Sequence, residues 1–292
     1  MRIVFVGTVK FSLIALETLV FMGENVVGVI TKSNSTFNSD FADLVPLCQE
    51  YEIPYKFSTD VNDKYTVNWI RSLKPDVIFC VGWSNLLGKE ILNIAPKGVI
   101  GFHPAKLPQN RGRHPLIWAL VLGLEETAST FFFIDEGTDS GDIVSQEIIP
   151  ICDYDNAGSL YYRIGKVMAG QLRSFVPKLR CDTLIAKSQK HSKANIWRKR
   201  TKEDGKIDFR MGSRLVYNLV RALADPYVNA HFIYKEEEIK VISAALAHAS
   251  VNTEPGKVLL REANRILVKC GTGAILLTVK GKYELPEEGE YL

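Results

Sequence analysis

Residues 98–115, GVIGFHPAKLPQNRGRHP, end an apolar run on His103 and follow it with Pro104, Lys106, Asn110, Arg111 and Arg113. Histidine titrates near neutral pH, so it can give or take a proton during a reaction. A second loop, DEGTDSGD at 135–142, gathers Asp135, Glu136, Asp139 and Asp142 around two glycines. Its spacing does not fit the twelve-residue calcium loop. A carboxylate from this loop beside His103 would instead orient the imidazole. Lys106, Arg111 and Arg113 close to such a histidine suit an anionic substrate. An ordinary charge-bearing surface loop has the same composition.

The elements that must position these groups alternate. RIVFVG (2–7), NVVGVIT (25–31), the run 76–81 and GVIGFH (98–103) read as strands, the continuous apolar ones as strands buried on both faces. Helical spacing covers 11–22, then 40–53 with a proline interruption, the stretch before Pro75, about 115–123, 157–179 and 213–223. The expected fold class is α/β, a Rossmann-like, doubly wound, mostly parallel sheet, in which ligands bind at the carboxyl ends of the strands. Gly7, Gly82 and His103 stand at such ends. The first of these ends lacks the GxGxxG fingerprint of a dinucleotide site, since Gly7 is followed by Thr8, Val9 and Lys10. Thr8 to Ser12 can still line a substrate pocket, as the entry to a helix.

Two domains joined by a linker are expected: a catalytic domain over 1–186, a polar basic linker over 187–206, and a smaller C-terminal β-rich domain, OB-like, over 207–292. The linker, with its interleaved Trp197, has the composition of a nucleic-acid patch, but residues 206–292 behind it carry twelve Lys/Arg against eleven Asp/Glu. That balance, and a formal net charge of +3 over 292 residues, speak against a nucleic-acid partner. No run approaches the length of a membrane helix. Five scattered cysteines without CxxC spacing suggest free thiols in a reducing, cytoplasmic setting and no metal site. Exposed apolar strands toward the C-terminus would allow a homodimer.

The run GFHPAKLPQNRGRHP and the loop DEGTDSGDIV, with RTKEDGKIDF and NLVRALADPY further along, resemble the signatures of the 10-formyltetrahydrofolate-dependent formyltransferases. That family includes glycinamide ribonucleotide, methionyl-tRNA and nucleotide-sugar N-formyltransferases. The resemblance spans nearly the whole chain, and FFFIDEGTDSGDIV is most similar to the amino-sugar branch. It implies His103 and Asp139 as catalytic residues and 10-formyltetrahydrofolate as cosubstrate, with no metal. It also implies a folate site over VGWSNLL, through Gly82, Trp83, Asn85, Leu86 and Leu87, completed by the loop 134–139 with Ile134 and Asp135. Thr8, Lys10, Arg111 and Arg113 are then expected toward a nucleotide-sugar acceptor, of the dTDP-4-amino-4,6-dideoxyglucose class used for surface polysaccharide such as the O-antigen of lipopolysaccharide. Methionyl-tRNA formylation and non-catalytic folate or nucleotide binding are the alternatives. One departure stands out. The family pattern NxH is here Gly101-Phe102-His103, so an amide donor to the formyl oxygen is missing, a loss that costs about 2.7–4 kcal/mol in other enzymes. Asn110 or an ordered water is the expected replacement.

Overall fold

The computed structural model describes residues 1–34 and 39–292, which divide into two compact units. The first comprises 1–115, 127–149 and 162–197, and the second 116–126, 150–161 and 198–292.

The first unit is built on a seven-stranded sheet. Its strands are β1 (Arg2–Gly7), β2 (Asn25–Thr31), β3 (Tyr55–Phe57), β4 (Val77–Val81), β5 (Val99–His103), β7 (Glu126–Phe133) and β8 (Ile143–Pro150), in the order β3-β2-β1-β4-β5-β7-β8. A further short strand, β6 (Arg111–Gly112), lies outside this sheet. Pairing is parallel from β3 to β5 and antiparallel between β5 and β7. The order reverses between β1 and β4, which is where sheets of this class open a crevice. β4 is buried at every residue, as a central strand covered on both faces requires.

Helices α1 (Lys10–Phe21), α2 (Val45–Glu50), α3 (Lys64–Ser72) and α4 (Lys89–Leu92) connect the strands in the chain, α5 (Pro115–Val121) falls almost wholly in the second unit, and α6 (Ala157–Arg180) belongs to the first unit from residue 162. The carboxylate of Asp63 caps α3 by accepting from the Tyr65 and Thr66 amides. α2 is shorter than the helix expected over 40–53. Pro46 sits in its first turn, where a missing N–H costs nothing, so the proline starts the helix rather than interrupting it. Asp40 and Ala42 bond instead to the backbone of Lys10 and Thr8.

Residues 187–197 are not a free linker. Lys187 exchanges two backbone hydrogen bonds with Ile143, and β9 (Ile196–Trp197) pairs in parallel with β6. Side chains at 189, 191 and 195 add to the attachment.

The second unit contains α7 (Ser213–Ala222) and a five-stranded antiparallel sheet. Its strands are β10 (Ala230–Tyr234), β11 (Glu237–Ala247), β12 (Val258–Arg261), β13 (Arg265–Lys269) and β14 (Ala274–Val279), in the order β10-β11-β14-β13-β12. Among the described residues no helix is long and apolar enough to cross a membrane.

Candidate active site

Strand β5 alternates its side chains, so Gly101 and His103 share one face and Phe102 takes the other. Phe102 packs against Phe11 and Phe131, with ring centroids 5.3 and 5.0 Å away. His103 is thereby anchored at the strand's carboxyl end and is buried. Its Nε2 lies 2.7 Å from the main-chain oxygen of Asn110. A carbonyl only accepts, so Nε2 carries the proton and Nδ1 is left facing the crevice. Asp139 Oδ2 lies 3.7 Å from that Nδ1. The separation is too long for a hydrogen bond and too short to admit an atom between the two, so a group that meets both must sit to one side of the pair.

Asp139 has a left-handed backbone, with φ +49°, and its Oδ2 accepts from the Gly112 amide at 2.8 Å. Gly112 has φ +97°, and a Cβ there would fall 2.4 Å from the Trp197 oxygen. Only glycine meets both demands. Cys80, opposite Gly101 in the sheet, has its thiol pushed up to about 12 by burial, so it brings no thiolate to the site.

Asn110 was expected to offer its side chain to the formyl oxygen. The contacts it makes are through its main chain: its carbonyl takes His103, and its amide donates to Asn195 Oδ1 at 2.8 Å. Arg111 was expected on the acceptor side but points inward. It is buried, and its Nη2 donates to Gln189 Oε1 at 2.7 Å and lies 3.1 Å from His191 Nδ1. Arg113 reaches the loop after β4 and donates to the Ser84 oxygen at 2.6 Å. Thr8 and Lys10 stand at the end of β1, two strands from β5 in the sheet order. Thr8 is fully buried and Lys10 is exposed.

The β1 turn is closed by Ser12. Its Oγ accepts from the Thr8 and Val9 amides and donates to the Val81 oxygen at 2.6 Å. A pyrophosphate would need those two amides, which is the physical counterpart of the incomplete glycine fingerprint.

In the loop after β4, Leu87 is buried while Asn85 and Leu86 are exposed. Asn62 fixes the loop's course by donating to the Leu86 oxygen at 2.9 Å and accepting from the Gly88 amide at 2.6 Å. The Trp83 ring lies 4.8 Å under the Lys32 ammonium, and its buried Nε1 has no hydrogen-bond partner among the described residues. Across the crevice floor, the Ile134 amide bonds to the Val99 oxygen at 2.8 Å. The Asp135 carboxylate accepts from Gly137 and Ser140 at 3.0 and 2.6 Å, so it shapes its own loop.

The profile of the formyl transferase family matches residues 1–172, and that of the formyl transferase C-terminal domain matches residues 199–283. The chain belongs to the formyltransferase family. The enzyme is 32% identical over 294 residues to the methionyl-tRNA formyltransferase of Geobacter sulfurreducens, covering 98% of this chain and 92% of that one. Its fold is similar to that of WlaRD, a sugar 3N-formyltransferase solved with dTDP and 5-N-formyl-THF, with a TM-score of 0.72 at 18% identity and coverage of 97% and 99%. It is similar also to the N-formyltransferase of Helicobacter canadensis solved with folinic acid and dTDP-3-aminofucose, with a TM-score of 0.71 at 17% identity and coverage of 97% and 100%.

Sequence reasoning missed Gln189, Asn195 and Asn62, and it named Ser12 only as part of a pocket lining. The first two lay in a segment whose lysines concealed its amides. The signal there was the short apolar pair Ile196-Trp197 that becomes β9.

Proposed function

We propose that this enzyme transfers the formyl group of 10-formyltetrahydrofolate to the amine of a dTDP-linked amino-dideoxy sugar, of the dTDP-4-amino-4,6-dideoxyglucose class, for surface polysaccharide. The observation that carries the reading is the facing of His103 Nδ1 and Asp139 Oδ2 across 3.7 Å at the carboxyl edge of the sheet. When bound, 10-formyltetrahydrofolate supplies a carbonyl carbon open to attack by an amine. Trp83 would hold it through its unpartnered indole N–H, with the exposed edge of Asn85 and Leu86 on one side and Ile134 and Asp135 on the other.

In this reading Asp139, steadied by Gly112, would take the proton that the acceptor amine gives up as its bond to the formyl carbon forms, and would return it to the folate nitrogen as the old C–N bond breaks, while the Asn110 carbonyl steadies His103. A protonated Nδ1 then faces the charge that develops on the formyl oxygen. Gly101 offers no donor, and the space a side chain would enter is bounded by Ile134 and Phe132, so the oxyanion duty falls on His103. Lys10 and Arg113 are the cations we assign to the diphosphate, because Arg111 is committed to Gln189. Five unpaired cysteines suit work in a reducing, cytoplasmic compartment.

Methionyl-tRNA as acceptor is the second reading, favoured by the 32% identity to the Geobacter enzyme. Against it stands the near balance of twelve Lys/Arg and eleven Asp/Glu over residues 206–292, since tracking phosphates needs an excess of cations. The test is incubation with 10-formyltetrahydrofolate and either acceptor, read by product mass. A formylated nucleotide sugar that disappears with His103→Ala supports the first reading. Formylated methionyl-tRNA alone, with salt-sensitive binding, replaces it with the second. Binding of both ligands without turnover refutes transfer.

A further inference from the structure

Residues 187–197 lace the loop that follows His103 to the loop that carries Asp139, and the lacing beside the two is made of uncharged amides. On the aspartate side, Gln189 is buried. Its Nε2 donates to the Asp139 oxygen at 2.9 Å and to the Gly141 oxygen at 2.6 Å, while its Oε1 accepts from Arg111. On the histidine side, Asn195 Oδ1 accepts the Asn110 amide at 2.8 Å, and the Asn195 oxygen accepts the Arg111 amide at 3.1 Å. β9 then pairs with β6, placing Gly112 where its amide meets Asp139.

We propose that Gln189 is a positioning residue for Asp139, setting the distance between the carboxylate and His103 Nδ1. The chemistry of the side chain supports this. A glutamine offers two N–H donors and a carbonyl acceptor in one plane, and here all three functions are used, on the half-buried Asp139 and the buried Gly141 and Arg111. The two donors land on main-chain carbonyls of the turn, that of Asp139 itself and that of Gly141, and so pin the left-handed backbone that Asp139 adopts there. Arg111 fixes the glutamine's own orientation, because only its oxygen can face a guanidinium. No neighbouring side chain of the segment performs this duty: His191, Ser192 and Lys193 are exposed. The inference rests on the reading of His103 and Asp139 as the reacting pair.

The test uses Gln189→Ala and the near-isosteric Gln189→Glu in the full chain. The glutamate keeps an acceptor for Arg111, so the fold is retained, but it has no donor for the two carbonyls. Two quantities are read. Steady-state kinetics, with whichever acceptor the wild-type enzyme formylates, should show kcat falling on the order of 10- to 100-fold with KM nearly unchanged, as a misplaced catalytic group produces. Hydrogen exchange at the Gly112 amide, which reports the Asp139 carboxylate directly, should quicken in both variants while exchange at the Ile78 amide in β4 stays slow. Wild-type kcat in a folded Gln189→Glu protein overturns the proposal, and so does Gly112 exchange as slow as in the wild type. If the wild-type chain formylates no acceptor, the reading of the pair fails, and Gly112 exchange alone decides whether Gln189 places Asp139.

Discussion

Restoring the asparagine that the family pattern has at position 101 should damage this protein unless its neighbour is cut back. A Cβ built on Gly101 meets Ile134 Cγ1 at 2.8 Å, Ile134 Cδ1 at 2.9 Å and Phe132 Cε1 at 3.1 Å. The first contact lies about 0.6 Å inside the 3.4 Å at which ordinary Cβ contacts begin. Overpacking of that kind costs about 1–3 kcal/mol, so Gly101→Asn should lower stability by this amount. Ile134→Ala removes both offending atoms and carries its own, smaller cost because the side chain is only half-buried. The double variant should therefore be more stable than the sum of the single effects predicts, by at least ~1 kcal/mol. Phe132 remains close, so the rescue is incomplete. Urea midpoints for the four proteins measure the coupling. Effects that add to within ~0.5 kcal/mol would refute the claim that Ile134 occupies the asparagine's place. Comparing formylation by the double variant with that by Ile134→Ala then asks whether an amide at this position speeds the reaction.

Other outcomes follow from the same geometry. His103→Ala should lower kcat by about 10²–10⁴-fold in single-turnover assays, the contribution of a positioned acid–base group. Ser12→Ala leaves the Thr8 and Val9 amides and the Val81 carbonyl without their hydroxyl partner. It should cost about 2–3 kcal/mol by chemical denaturation, without requiring any change in the catalytic pair. In the second unit, Glu238 bonds to Lys202 and Lys240, and these contacts lower its carboxyl from 4.5 to about 2. A depressed folded-state value stabilises above the unfolded value and is lost as pH falls through the folded one. The stability gap between wild type and Glu238→Gln should therefore be full above about pH 5 and should close toward pH 2. A gap that persists at pH 2 in thermal melts counts against the ion pairs.

The parallel sheet was legible because buried strands write themselves as apolar runs, as RIVFVG and the run ending at Val81 do. The ends of those strands, and with them His103, followed from the same pattern. The acidic loop was set near His103 by inferring that the strands it joins lie beside the one ending at His103, and β7 does pair with β5; Asp139 itself came from the family resemblance. What lay beyond the sequence was orientation. Nothing in the letters RGR says that the first arginine turns inward to a glutamine 78 residues later while the second reaches the loop after β4. The basic composition of 187–206 pointed to solvent, yet the residues that matter there, Gln189 and Asn195, are neutral. Amides make contacts that leave no charge pattern or hydrophobic period to detect. The helix over 40–53 was overdrawn for a related reason, since a proline reads alike whether it opens a helix or breaks one.

The lacing of the two loops by residues 187–197 also sets an order of events during synthesis. A chain extended to residue 186 already contains all seven strands of the large sheet, but not the glutamine and asparagine that hold the loops of Asp139 and His103. A growing chain can thus complete its scaffold well before its reactive pair is drawn to working distance. The same logic sets a boundary for anyone trimming the enzyme: a fragment cut at the end of α6 contains every strand of the large sheet and discards the clasp, and the shortest stretch holding these ties between the loops ends at Trp197.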